Sequence, residues 1–154
     1  MAERQSTPRQ ANKANDIALV FPATESAVRR ALNSVCGTLR ALAVNDFTLA
    51  SVEIVLAEVA NNIVEHAYAN TGNGTISLKC QLEAQLILFE VIDHGATLPN
   101  ASLPPKQVHD LESDINDLPE GGFGWGIIRD MTHSLAYRRY KGRNILKFSI
   151  VCEG

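Results

Sequence analysis

Apolar residues recur along this chain with two different periods, and the switching between them lays out the elements. From Thr24 to Val44, the residues Val28, Ala31, Leu32, Val35, Leu39 and Leu42 return at steps of three and four, which predicts a helix with Thr24 as its N-cap. A second helix is predicted from about Thr48 to Tyr68, where Val52, Val55, Leu56, Val59 and Ile63 gather on one stripe. Shorter runs rich in Ile, Leu and Val read as strands. These are "DIALVFPA" closing at Pro22, the hairpin "TISLKCQL" and "QLILFEVIDHG" around Glu83 and Ala84, and the pair "SLAYRRY" and "RNILKFSIVC" turning at Lys141 and Gly142. "TGNG" at 71–74 is a turn. Residues 1–15 show no periodicity and predict a flexible tail, leaving 16–154 as the domain. From Ala96 to Gly122 the chain is polar and proline-rich, with one short acidic helical piece, "HDLESDIND". Long loops of that kind inside compact domains are usually functional. Early helices followed by a meandering sheet predict an α+β two-layer sandwich.

Composition narrows the function classes. A chain of 154 residues, 45% hydrophobic and 20% charged, carries apolar material for one core. A net charge of −3 supplies no basic field for phosphate backbones, so nucleic acid is not an expected partner. The first residues, "MAERQSTPRQANKAND", are polar, and no run of 18 consecutive apolar residues occurs, so the expectation is a cytoplasmic protein without membrane association. The cysteines Cys36, Cys80 and Cys152 are odd in number, widely spaced and set among apolar residues, which suits reduced core residues better than disulfides or a zinc site.

Three stretches carry candidate chemistry. In "EVANNIVEHAYAN" the polar residues Glu58, Asn62 and His66 stand at steps of four on an otherwise aliphatic helix, within a strip about 80° wide beside the apolar stripe. Such a row is compatible with a solvated flank as well as with a site. In "VIDHGATLPN", Asp93 ends an apolar strand and Gly95 follows, so a carboxylate sits where glycine permits close approach to the backbone. The same spelling also serves ordinary turns, and His94 reads as a turn residue. In "GGFGWGIIRDM", Gly122, Gly124 and Gly126 precede a helical pattern, where free amides and the helix dipole suit an anion. No strand leads directly into these glycines and no Lys-Ser or Lys-Thr pair follows them, so neither a Rossmann fingerprint nor a P-loop is present.

Taken in order, Glu58, Asn62 and His66, then Asp93 and Gly95, then Gly122, Gly124 and Gly126, then a terminal strand pair, resemble the N box and glycine boxes of the GHKL ATPase superfamily. Within it, "EVANNIVEHAY", "GGFGWGIIRDM" and "AYRRYKGRNILKF" are most similar to the small anti-sigma-factor serine kinases of bacterial partner switching, over residues 16–152. The resemblance implies a sandwich of the Bergerat, histidine-kinase-like ATPase type, with a mixed, mostly antiparallel sheet and helices on one face. It implies Mg²⁺ held by Asn62 between the ATP phosphates, Glu58 as general base, and Asp93 with Gly95 receiving the adenine amino group. Gly122, Gly124 and Gly126 would cradle phosphate, Ala96–Glu120 would form a lid, and Asn144 would help hold adenine through a water. For His66 a capping or supporting role is expected. The chain departs from many relatives in having Ala96 and Thr97 after Gly95, and Lys106 is the only Lys or Arg between Gly95 and Gly121.

The function implied is an anti-sigma factor with serine/threonine-protein kinase activity, which sequesters a sigma factor and phosphorylates a STAS-domain anti-sigma-factor antagonist on serine. Two alternatives stay open: an ATP-binding anti-sigma module with little phosphotransfer, and a nucleotide-free interaction domain. Homodimerisation is plausible by the same resemblance, through an apolar face of the first helix or the sheet edge.

Overall fold

The computed structural model describes residues 15–105 and 122–153. Strand β1 (Asp16–Pro22) turns Ile17, Leu19 and Phe21 inward and Ala18 and Val20 to solvent, the period-two pattern of a half-covered strand. Thr24 caps helix α1 (Glu25–Ala41) by accepting the Ala27 amide at 3.3 Å. The helix stops short of the predicted Val44 because Ala43 turns left-handed, at φ 67°, and the Val44 amide folds back onto the Leu39 carbonyl. Helix α2 (Asp46–Asn62) begins earlier than predicted, since the Asn45 side chain accepts the Thr48 amide at 2.8 Å. A π turn over Ile63–Ala67 continues α2. Strands β2 (Thr75–Glu83) and β3 (Leu86–Asp93) form the predicted hairpin, α3 covers Gly122–Met131, and β4 (Ser134–Tyr140) and β5 (Arg143–Val151) close the fold.

The sheet order is β1-β2-β3-β5-β4, with every neighbouring pair antiparallel. The expected mixed sheet is thus antiparallel throughout the described residues, for a topological reason. Two helices separate β1 from β2, so the chain returns to the same end and the strands run opposite. Among the described residues α3 is the α-helix between β3 and β4, and those two strands run parallel, but β5 lies between them. The acidic piece "HDLESDIND" and most of the expected lid lie outside the described residues.

The helices cover one face of the sheet. Val35 and Leu39 of α1 and Val52, Val55, Leu56 and Val59 of α2 meet Ile76, Ile87, Phe89, Val91, Phe148 and Ile150 of the strands. Phe89 and Phe148 stack with ring centroids 4.9 Å apart. By length and composition the stretch Asp46–Ala67 is apolar enough to cross a bilayer, yet its Val and Leu row is spent on this core and Glu53 and Glu58 ride on its other sides. Large apolar side chains exposed among the described residues fall on β1 (Val20), α2 (Phe47, Ile54), α3 (Ile127) and the last strand pair (Tyr140, Val151) rather than on α1.

Candidate functional site

The C-terminal half of α2 organises the site, because α3 packs along it and the loop after β3 crosses its end. Glu58 and Asn62, one turn apart, are half-buried under α3. A Cβ added at Gly124 would stand 2.9 Å from Glu58 Oε2 and 3.5 Å from both terminal atoms of the Asn62 amide. The glycine is what lets the two helices approach here, and it brings the first and third sequence stretches together. Helix α3 already begins at Gly122, so Gly124 and Gly126 lie inside it rather than in a turn before it. A Cβ at Gly126 would meet nothing within 4 Å.

The Asn62 Nδ2 atom is buried and has no hydrogen-bond partner among the described residues. An orphaned amide costs about 1–3 kcal/mol, so the position is held against stability, as expected of a group that waits for a ligand. Since the amide oxygen and nitrogen are interchangeable by rotation, either atom can be offered. No cluster of three His, Cys, Asp or Glu side chains able to hold a metal occurs among the described residues. A cation here would rest on the Asn62 amide and on oxygens that arrive with a ligand, which is how Mg²⁺ is usually held.

His66 does not extend the row. It falls in the π turn and is exposed, with Nε2 4.0 Å from Glu65. The same turn has a structural use, since the Ala67 carbonyl accepts the Ala96 amide at 2.8 Å. That contact draws the loop after β3 so close that a Cβ on Gly95 would lie 2.4 Å from the Ala67 oxygen. Glycine is required there by proximity. From the same side, the Tyr68 hydroxyl accepts the His94 amide and donates to the Thr75 carbonyl, both at 2.8 Å.

Asp93 closes β3 opposite Asn144 of β5. Its carboxylate is 4% exposed, and Oδ1 accepts from the Gly95 amide at 2.9 Å and from Asn144 Nδ2 at 2.8 Å. Oδ2 takes no donor among the described residues. Burial pushes the Asp93 carboxyl above its ordinary value, opposed by the hydrogen bonds from Asn144 and Gly95 and by the charges of Arg139 and His94. A buried carboxylate with one oxygen anchored and one unused is suited to accepting a ligand N–H. Asn144 itself is buried and donates to the Ala96 carbonyl as well, at 2.9 Å.

Tyr137 and Arg139 of β4 join this cluster and were not singled out from sequence. The available signal was the alternation in "SLAYRRY", which places them on the same face as Leu135. The cysteines stand apart as inert core groups. Burial pushes the Cys80 thiol up to about 12, and Cys36 and Cys152 are also raised by burial.

Comparison with known proteins identifies the family. The family described as "Histidine kinase-like ATPase domain" matches residues 21–150, which enclose all these positions. The serine/threonine-protein kinase BtrW of Bordetella bronchiseptica is 31% identical over 90 residues, covering 58% of this chain and 61% of that protein. An anti-sigma F factor of Bacillus licheniformis is 24% identical over 88 residues, covering 57% of this chain and 58% of that protein. The aligned part thus spans about three fifths of each relative. The crystal structure of the RsbU and RsbW domains of Rv1364c from Mycobacterium tuberculosis shares the fold, with a TM-score of 0.58 and 14% identity over 88% of this chain and 32% of that one.

Proposed function

Because the chain belongs to the histidine kinase-like ATPase family, we propose that it binds Mg²⁺-ATP across the cluster described above and transfers the γ-phosphoryl group to a serine of a partner protein. The observation that carries this reading is the convergence of Glu58, the unpartnered Asn62 amide and Gly124 at one point between α2 and α3.

Each residue has a role that its surroundings support. Asp93 Oδ2 accepts a hydrogen bond from the adenine 6-amino group while Oδ1 stays anchored. Gly95 keeps that loop against Ala67. The Asn62 amide oxygen would hold the cation, which would neutralise charge on the phosphates. The first turn of α3, from Gly122, offers free main-chain N–H groups to the phosphates, and Gly124 adds no side chain against Glu58 and Asn62. Glu58 accepts the proton of the attacking serine hydroxyl; its oxygen then bonds to γ-phosphorus, the bond to the β-phosphate oxygen breaks, and ADP leaves. Because α3 lies directly on Glu58 and Asn62, it has to lift for the phosphates to enter.

The relatives' names support a partner reading. One relative is called a serine/threonine-protein kinase and the other an anti-sigma F factor, in keeping with an assembly of a sigma factor held in the nucleotide-bound state and, by the resemblance of the sequence motifs, a STAS-domain antagonist as phosphoacceptor. Phosphorylation of the antagonist adds about two negative charges at the interface and drives release. Coupling of about 1–3 kcal/mol between nucleotide and partner sites is enough for the switch.

The test is transfer from γ-labelled ATP, with Mg²⁺, onto a candidate antagonist protein, comparing wild type with Asn62→Ala and Glu58→Gln. Label on the antagonist with wild type, lost in both variants, is the expected result. A wild-type protein that binds ATP and transfers no label would refute the kinase and leave an ATP-dependent binding module regulated by partner competition.

A further inference from the structure

The polar groups of β4 form a closed circuit around the base end of the site. The Tyr137 hydroxyl donates to Asn144 Oδ1 at 2.6 Å, accepts the Leu98 amide at 3.1 Å and lies 3.0 Å from Thr97 Oγ1. One nitrogen of Arg139 donates to the Gly95 carbonyl at 2.7 Å and to Asn144 Oδ1 at 3.0 Å. Asn144 in turn spends its N–H groups on Asp93 Oδ1 and the Ala96 carbonyl. An amide offers two donors and two acceptor positions, and all those of Asn144 are taken by protein. Asp93 is therefore fixed at one oxygen through a chain that leads back to Tyr137 and Arg139.

The placement of these contacts separates them from the fold proper. Strand β4 is held by its ladder to β5 and by Leu135 and the Tyr137 ring packing on the core. The polar ends of Tyr137 and Arg139 reach past the ladder to residues 95–98, which belong to no helix or strand. What they order is the short loop that carries Asp93's neighbours. A carboxylate held in one orientation accepts a ligand N–H without first being ordered, and that saving appears as selectivity for ligands that carry the donor.

We propose that Tyr137 and Arg139 are positioning residues for base recognition: through Asn144 and the Gly95–Leu98 backbone they hold the Asp93 carboxylate to accept a purine 6-amino group. They thereby set the discrimination between adenine nucleotides and purine nucleotides that lack that group. The inference rests on Asp93 being the adenine acceptor.

The experiment measures, by calorimetry with Mg²⁺, the dissociation constants of ATP and of purine riboside triphosphate, which lacks only the 6-amino group. Wild type, Tyr137→Phe and Arg139→Gln are compared, each with its denaturation midpoint. Wild type is expected to favour ATP by about tenfold or more, the usual worth of a hydrogen bond to a charged group. The ratio in each variant is expected to fall to about threefold or below. Arg139→Lys, which keeps the charge and a donor but on a head that lacks the rigid planar guanidinium, is expected to lie between. A purely structural role lowers stability and both affinities while leaving the ratio at the wild-type value, and that result overturns the clamp. A wild-type ratio near one overturns the assignment of Asp93 and the clamp with it.

Discussion

Gly95→Ala is the substitution whose consequence the structure prescribes most closely. The added methyl would sit 2.4 Å from the Ala67 oxygen, 2.6 Å from its carbonyl carbon and 2.7 Å from its Cβ. The first two are backbone atoms at the end of a packed helix and the third is a Cβ fixed to that backbone, so none can swing aside as a flexible side chain would. Restoring ordinary contact moves the loop by roughly 1 Å, which carries three hydrogen bonds out of range. They are Ala96 N–H to the Ala67 carbonyl, Gly95 N–H to Asp93 Oδ1 and Arg139 to the Gly95 carbonyl. At about 0.5–1.5 kcal/mol each, the loss is about 2–4 kcal/mol, in line with about 1–3 kcal/mol for overpacking alone. For a domain of this size the thermal midpoint falls by about 5–15 °C. Because one of the broken bonds anchors Asp93, ATP affinity measured below the new midpoint falls tenfold or more, on the order of one charge-assisted hydrogen bond. A midpoint within about 1 °C of wild type together with an unchanged ATP titration would refute the argument that Gly95 is there for close approach.

Gly126→Ala is the opposite case: its Cβ meets nothing within 4 Å and its backbone is helical. The nucleotide-free protein is expected to gain up to about 1 kcal/mol and a few degrees in a thermal melt, and a lowered midpoint would count against α3 as described. Asp93 gives a pH dependence. Its folded pKa lies above the ordinary 3.8 through burial, so its contribution to stability is full below that value and is lost as pH rises through the folded pKa. ATP affinity runs the other way and declines as pH falls through that same pKa, because only the ionised carboxylate accepts the amino group. Asp93→Asn is expected to keep neutral-pH stability and lose ATP binding; an affinity unaltered by that change would remove Asp93 from the site. With its thiol pushed up to about 12, Cys80 is expected to resist alkylation in the native state at mildly alkaline pH and to react on unfolding. Labelling of Cys80 at the rate of an exposed thiol would show that this part of the core opens.

The sequence by itself determined the elements, and for local reasons. The spacing of Val52, Val55, Leu56 and Val59 demanded a helix with one buried stripe, the Thr24 cap marked where α1 starts, and the two hairpins followed from apolar runs broken by turn residues. The ordered set Glu58, Asn62, Asp93, Gly95 and the later glycines was also legible, because the side-chain types and their spacing are properties of the chain. The early start of α2 was readable too, from Asn45 followed by Asp46.

Tertiary structure decided the rest. That β5 would return between β3 and β4, making the sheet antiparallel, depends on how a crossover packs and leaves no periodic mark. The π turn that carries His66 ends at Ala67, whose carbonyl meets the loop after β3, a contact between positions far apart in sequence. Gly124 against Glu58 and Asn62, and Tyr137 and Arg139 around Asn144, are likewise meetings of residues on separate elements. Periodicity reports which face of an element is buried; which polar groups then touch is settled only when the elements pack, since hydrogen bonds act over about 3 Å.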